Sequence, residues 1–242
     1  MTTVPGAPLP GRFNRDRPAV QDLSRRSHPL WYILRRLPAA IEALAPMLEL
    51  RPGSRVLDYG CGAAQYRSLA PEGCQYVGAD LPGNPEASVE LSPDGRLPVE
   101  DASFDALLST QVLEHVTDPE LYLAESARAL RPGGRMLLST HGIMVFHPDP
   151  ADHWRWTCTG LQRVVADAGF EVERFEGVVG LTATGLQLFQ DGLLGRVPAA
   201  AHGPVAFVLQ RLVALADRFD SEESRRYNAH VFALVARRCS SS

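Results

Sequence analysis

The sequence predicts an α/β chain built on a doubly wound, mostly parallel sheet, and three observations carry that expectation. Short apolar runs alternate with helical stretches from about residue 55 to 175. The first run, RVLDY, breaks at Gly60-Cys61-Gly62, and the second, QYVGAD, ends on the acid Asp80. Strands separated by helices in this manner form right-handed βαβ units whose sheet is covered on both faces. A glycine turn after the first strand and an acid about twenty residues on mark the ligand end of such a sheet.

Taken in order, residues 29–50 (PLWYILRRLPAAIEALAPMLEL) place leucines and Ile41 at helical spacing, with Pro38 threatening a kink. Strand Arg55–Tyr59 follows, then a short helix around 63–69 and strand 75–79. Strand 106–109 precedes a helix that opens at Asp118, a good N-cap with Pro119 at the first helical position, and stops at Arg131-Pro132-Gly133-Gly134. Strand 135–140, a helix from near Thr159 to Gly169 and strand 171–175 complete the alternation. Residues 177–224 stand apart as a helical insertion. Its later part sets Val205, Val208, Leu209, Leu212, Ala216 and Phe219 on one face, expected to pack on the body, with a substrate lid or a homodimer contact as the other readings. AHVFALVA (229–236) reads as a closing strand at the sheet edge.

The chain has 242 residues, 45% of them hydrophobic, with a net charge of -4, which fits one domain and gives no general field for nucleic acid or anionic membrane. All 24 basic residues are arginine, a usage associated with GC-rich bacterial coding sequences. Cys61, Cys74, Cys158 and Cys239 are scattered without a C-x-x-C pair, so neither a disulfide framework nor a zinc knuckle is expected. Residues 1–28, rich in Pro and Arg, hold no signal-peptide-like run and are expected to form a loose arm on a cytoplasmic protein, with 29–242 as the domain.

Glycine permits φ > 0 and lets a ligand approach bare backbone, while an acid at the end of the second strand can take both hydroxyls of a ribose. An adenosine-type ligand follows. Two features oppose a dinucleotide: Gln65 stands where G-x-G-x-x-G has its third glycine, and the Asp58 carboxylate would repel a pyrophosphate but suits a cation.

The ordered segments VLDYGCG, VGADL, LPVEDASFDALLSTQVLEHV and LRPGGRMLLST resemble the successive motifs of class I S-adenosylmethionine-dependent methyltransferases, over about residues 54–175. The resemblance implies a Rossmann-like sheet of seven strands with the last antiparallel, S-adenosylmethionine as cofactor and S-adenosylhomocysteine as product. It also implies cofactor contacts: Asp58, Gly60, Cys61 and Gly62 along the methionine part, Asp80 and Leu81 at the ribose, Asp101 and Ala102 at the adenine, and Gln111 beside the reaction centre. By its residue type Cys61 reads as a small buried filler.

Methyl transfer from sulfonium is an in-line displacement governed by alignment, and an alcohol acceptor must also lose a proton to a positioned base or a metal-lowered pKa. Histidines at strand ends supply candidate bases: His141 and His147 first, and His115 in L-E-H, which also reads as a structural histidine. Some relatives bind a divalent ion through Glu-x-x-Glu-His and a later His; Gln111 replaces the first Glu here, so no metal is assigned. Asp152, Trp154, Arg155, Trp156 and Thr157 resemble a D-x-W-R-x-T stretch of bacterial small-molecule methyltransferases, its tryptophans walling a pocket or packing a helix. The expected function is methylation of a small-molecule or glycan acceptor, at oxygen, without nucleic acid or a membrane span. An NAD-dependent oxidoreductase and a non-catalytic cofactor-binding protein are the alternatives.

Overall fold

Seven strands line up in the order β3-β2-β1-β4-β5-β7-β6: β1 Arg55–Tyr59, β2 Gln75–Asp80, β3 Val89–Glu90, β4 Phe104–Thr110, β5 Leu130–His141, β6 Phe170–Val178 and β7 Val231–Arg238. This computed structural model describes residues 25–92, 94–148 and 150–240, so most of the arm expected at 1–28 lies outside the described residues. Strands β3, β2, β1, β4 and β5 run parallel, and β7 lies antiparallel to both β5 and β6. The order reverses between β1 and β4, which puts the switch point beside the glycine turn.

Helices cover both faces. On one side α2 (Pro119–Ala129) and α3 (Cys158–Asp167) send Tyr122, Leu123, Leu161 and Val165 against Leu57, Leu107, Leu138 and Leu234. On the other, α1 (Trp31–Leu44) places Ile33, Leu37, Ile41 and Leu44 against Val56, Leu108, Leu137 and Val235. Neighbouring strand residues such as Val56 and Leu57 thus serve opposite layers, as the two-residue strand period requires. Each fully buried Leu contributes on the order of 2 kcal/mol of transfer free energy.

Several boundaries differ from the sequence expectation. β7 is inserted between β5 and β6 instead of closing the edge; six of its eight residues are buried, which a strand walled on both faces requires. The stretch around 63–69 forms turns and one 3₁₀ turn, Arg67–Leu69, because Ala64 takes φ 51° and ends any helix begun at the glycines. β3 was too short, at two residues, to leave a periodic signal.

The insertion holds three helices, α4 Leu181–Leu194, α5 Ala199–Ala216 and α6 Glu222–Tyr227. The face expected to pack inward is largely turned out: Val208, Leu212 and Phe219 are exposed, while α5 buries Ala206, Gln210, Val213 and Ala216. The reason is a polar interior. Gln210 Nε2 donates to Gln187 Oε1 (2.8 Å) and Gln190 Oε1 (3.0 Å), and its own Oε1 accepts from the Tyr32 N–H (2.8 Å).

The Asp118 carboxylate accepts from Leu121 N–H at 2.9 Å and so satisfies one orphan donor of α2. Asp118→Ala is expected to lower the unfolding free energy by about 1 kcal/mol in urea titrations; an unchanged midpoint would show that this cap does not hold the helix.

Candidate active site

The turn after β1 is built around close backbone approaches. Gly60 sits at φ 84°, and a Cβ there would lie 2.5 Å from Val112 Cγ2, so glycine is demanded by both conformation and space. Gly60 and Cys61 N–H both donate to the Ala79 carbonyl, at 2.8 and 3.1 Å. Asp80 holds the turn's far side: its Oδ2 accepts from Gly62 N–H (2.8 Å) and Asn84 Nδ2 (2.7 Å), and its Oδ1 accepts from Leu81 N–H (2.7 Å). The sequence reading missed Asn84, whose buried amide also donates to the Gly62 carbonyl at 2.8 Å.

Asp58 is buried beneath this turn. Its Oδ2 accepts from Tyr76 Oη at 2.5 Å, and its Oδ1 has no hydrogen-bond partner. Burial, with Asp80 adding to it, pushes the carboxyl up to about 6 despite the Tyr76 hydrogen bond, so a cation drawn to the orphan oxygen would be favoured. Cys61 is buried, and burial together with Asp80 and Asp58 pushes its thiol up to about 12; it fills space against Gly78 and offers no thiolate. Gln111, at φ 57°, ends β4 at the same sheet edge, and its Nε2 donates to Ser139 Oγ at 3.1 Å.

Asp101 and Ala102 are not brought there. They precede β4, whose first residues pair beside the start of β1: Arg55 N–H donates to Asp105 Oδ2 and Arg55 Nη1 to the Ser103 carbonyl. Five-residue β1 therefore separates them from the glycine turn by ~13 Å. The Asp101 side chain is 77% exposed and paired with Arg128 Nη1 at 2.6 Å, a surface ion pair. The segment that does reach the ligand edge is the one after β3, where Leu91 N–H donates to the Asp80 carbonyl and Gly95 O accepts from Tyr59 Oη.

At the ends of β4 and β5 a second constellation forms. Glu114 is fully buried, with Oε2 accepting from Thr140 Oγ1 (2.8 Å) and Oε1 lying 3.0 Å from His141 Nε2 without a hydrogen bond. The rings of His115, His141 and His147 stand 6.0 Å from one another, centroid to centroid. His115 turns Nδ1 to the Ala151 carbonyl, and its Nε2 is 3.9 Å from Glu114 Oε1. His141 is 2% exposed with Nδ1 unpartnered, whereas His147 is exposed. His230, just ahead of β7, adds a second buried imidazole, with both ring nitrogens unpartnered; the run AHVFALVA concealed it as an ordinary strand end. Among the described residues no set of three or more His, Cys, Asp or Glu side chains has the geometry to hold a metal ion.

The stretch from Asp152 to Thr157 is the frame of this constellation. Arg155 grips the Asp152 carboxylate with both terminal nitrogens (2.5 and 2.6 Å) and donates to the Met144, Val145 and Trp154 carbonyls. Asp152 Oδ2 accepts from the His147 N–H at 2.6 Å, so the arginine fixes the loop that carries His147. His153 and Trp154 N–H donate to the Glu114 carbonyl, Trp156 N–H donates to the His141 carbonyl, and Thr157 caps α3 through Gly160 N–H. The tryptophans stack at 5.9 Å, Trp154 partly exposed and Trp156 packed on the core.

Burial pushes Glu114 up to about 7 and His141 down to about 3, so the pair favours its neutral forms and its ionisation belongs to both groups. Burial, with Arg155, lowers His230 to about 4. The signs differ in their effect on stability. A lowered imidazole contributes stability above its unfolded value near 6.5 that is lost as pH falls toward 4; a raised carboxyl contributes stability at low pH that is lost as pH rises toward 7.

The methyltransferase-domain family matches residues 30–174, more than half of the chain. The chain belongs to that family, and its class is that of the class I S-adenosylmethionine-dependent methyltransferases, whose cofactor is S-adenosylmethionine. It is 30% identical over 201 residues to the 27-O-demethylrifamycin SV methyltransferase of Amycolatopsis mediterranei, covering 74% of this chain and 67% of that one. It is 34% identical over 118 residues to a ubiquinone biosynthesis O-methyltransferase of Xanthomonas oryzae pv. oryzae, covering 43% and 49%. The chain spans between 35% and 55% of the length of several other curated relatives. The crystal structure of the [4+2]-cyclase SpnF shares the fold at a TM-score of 0.56 and 20% identity, over 98% of this chain and 89% of that one. The nicotinamide reading is thereby set aside.

The residues present fit that cofactor: the glycine turn admits backbone approach, and the orphan Asp58 Oδ1 suits an ammonium or sulfonium charge. Asp80→Asn should weaken S-adenosylhomocysteine binding by tenfold or more in calorimetry, as loss of a charge-assisted hydrogen bond does, and Asp101→Asn should leave it within about twofold. The reverse ranking would move the adenosine site to the other end of the sheet. Relative to wild type, His230→Gln should gain about 1.5 kcal/mol of stability between pH 6.5 and pH 5 in urea titrations, because it removes one imidazole that only the unfolded chain protonates there; parallel pH curves for the two proteins would show that His230 is protonated when folded.

Proposed function

We propose that the chain methylates a hydroxyl oxygen on a small-molecule or glycan acceptor, with His141 as general base, Glu114 as the residue that positions it and His147 as the route of the proton to solvent. The observation that carries this reading is the 3.0 Å approach of the buried Glu114 Oε1, which has no hydrogen-bond partner of its own, to His141 Nε2; a small turn of the ring would join them. A carboxylate on one ring nitrogen fixes the tautomer and leaves the lone pair on the other, and His141 Nδ1 has no partner. The bound cofactor supplies an electrophilic methyl group on a cationic sulfur. Asp58 then balances the charge of the methionine part, and the glycine turn and Asp80 hold the adenosine. His141 accepts the hydroxyl proton as the oxygen–methyl bond forms and the sulfur–methyl bond breaks; the exposed His147 ring, 6.0 Å away, stands between that proton and water. Leu81 and Gln111 border the adenosine and the reacting centre in this arrangement.

Oxygen as the acceptor atom is supported by two relatives whose names state O-methylation, and by the base itself, which a neutral amine would not need. Trp154 and Phe146, exposed beside Asp152 and His153 around a cleft of about 290 Å³, give the acceptor an apolar wall to lie on.

The test uses an acceptor found by transfer of labelled methyl groups into fractions of a bacterial extract. Turnover should rise with pH through an apparent pKa near 7, as Glu114 ionises and draws the Nε2 proton toward itself. Glu114→Gln and His141→Gln should each lower kcat by ~10² or more while S-adenosylhomocysteine affinity stays the same. Full turnover in His141→Gln and His147→Gln alike would remove the histidine base.

A further inference from the structure

Helix α5 turns apolar residues outward as well as inward. Its inward side buries Ala206, Val213 and Ala216 around Gln210 of the hydrogen-bonded glutamine cluster, while Phe207, Val208, Leu212 and Leu215 face outward, and Phe219, three residues past the end of the helix, is 79% exposed. At 100° per residue the four helical ones fall within one stripe about 140° wide, an apolar face where a helix that meets water carries polar residues. Phe189 on α4 is exposed as well. Scattered apolar residues are ordinary on a surface, but a continuous helical stripe marks an interaction site.

Charge says what covers it. Along one flank of the stripe, α1 and α5 enclose a cleft of about 500 Å³ that includes Trp31, Leu215 and four arginines: Arg35, Arg36, Arg211 and Arg218. Arg36 shares the buried Asp217 carboxylate at 3.7 Å, but among the described residues Arg35, Arg211 and Arg218 have no carboxylate within ion-pair distance. Arg35 and Arg211 lie 5.0 and 4.7 Å from the Trp31 ring centroid, and Arg211 Nε is buried with no partner. These three arginines without a carboxylate partner, gathered on a chain of net charge -4, are a local field with a definite sign, set directly beside exposed apolar side chains.

We propose that this face seats the protein on an anionic lipid surface, with the α5 stripe entering the acyl boundary and the arginine cleft taking phosphate headgroups. Apolar stripe and cationic flank together are the signature of a helix lying in an interface. A second copy of the chain would bring a like-charged cleft toward the first, which disfavours self-association. α5 is, by length and composition, apolar enough to cross a membrane. Its Gln210 contacts and the Asp217 Oδ1 that accepts from Gly180 N–H (2.8 Å) pin it to the body, so it lies flat on the surface. The proposal does not depend on the acceptor chemistry above.

Flotation of the full chain with vesicles of phosphatidylcholine containing phosphatidylglycerol, against vesicles of phosphatidylcholine alone, tests it. The protein should float with the anionic vesicles, weakly or not at all with the neutral ones, and less at about 0.5 M salt. Removing two surface arginines in Arg211→Gln/Arg218→Gln should cost roughly thirtyfold in vesicle affinity, and Leu212→Ser/Phe219→Ser should abolish flotation. S-adenosylhomocysteine binding should persist in both variants, showing that they fold. Failure to bind either vesicle, equal binding to both, or binding that survives both variants would overturn the proposal. So would a stable dimer by light scattering that Phe219→Ser splits.

Discussion

A single buried carboxylate organises the ends of β4 and β5. Glu114 reaches the end of β5 through Thr140 and His141, and its backbone carbonyl receives His153 and Trp154 from the stretch beyond. Removing an ionisable group from water is costly unless it is paired, and here the cost is met by the Thr140 hydroxyl on one oxygen and by a raised proton affinity, while Oε1 stands near His141 Nε2 without a hydrogen bond. That arrangement ties three separate chain segments to one point, and the neighbouring Asp152–Arg155 pair holds the His147 backbone.

The cofactor edge follows a different logic. Its order comes from backbone geometry and from Asp80, which holds the turn by accepting from Gly62, Leu81 and Asn84. Asp58 beneath it is held on one oxygen by Tyr76 and left bare on the other. The two ends of the site meet across adjacent strands: Gln111 and Ser139, hydrogen-bonded to each other, bridge β4 to β5 between the glycine turn and the histidines. In the proposed reaction donor and acceptor would align across that bridge, as an in-line displacement requires.

The layered sheet, the capped α2 and the glycine turn were legible in the sequence because each has a local signature. Strand placement was less so: AHVFALVA announces a buried strand but not its neighbours, and those are decided by the antiparallel pairing of β7 with β5 and β6. Asp101 illustrates a related gap. A residue just ahead of a strand lies at that strand's start, and β4 runs parallel to β1, so Asp101 stands at the end of the sheet opposite the glycine turn, where Arg55 meets Asp105. In α5 periodicity does not settle direction, because apolar residues stand on both sides of the helix: Ala206, Val213 and Ala216 face inward around the glutamine cluster, and Val208 and Leu212 face out. Asn84 and His230 carried no pattern at all, and D-x-W-R-x-T gave no hint that its arginine is a clamp for the His147 loop.

If Glu114 governs the site as described, it dictates where the His141 proton sits. Nitrogen-15 NMR of the imidazoles at pH 8, above the Glu114 value of about 7, reads that directly. The account predicts a neutral His141 ring protonated on Nε2 with a bare Nδ1. A ring protonated on Nδ1, or a fully charged imidazolium, would contradict it.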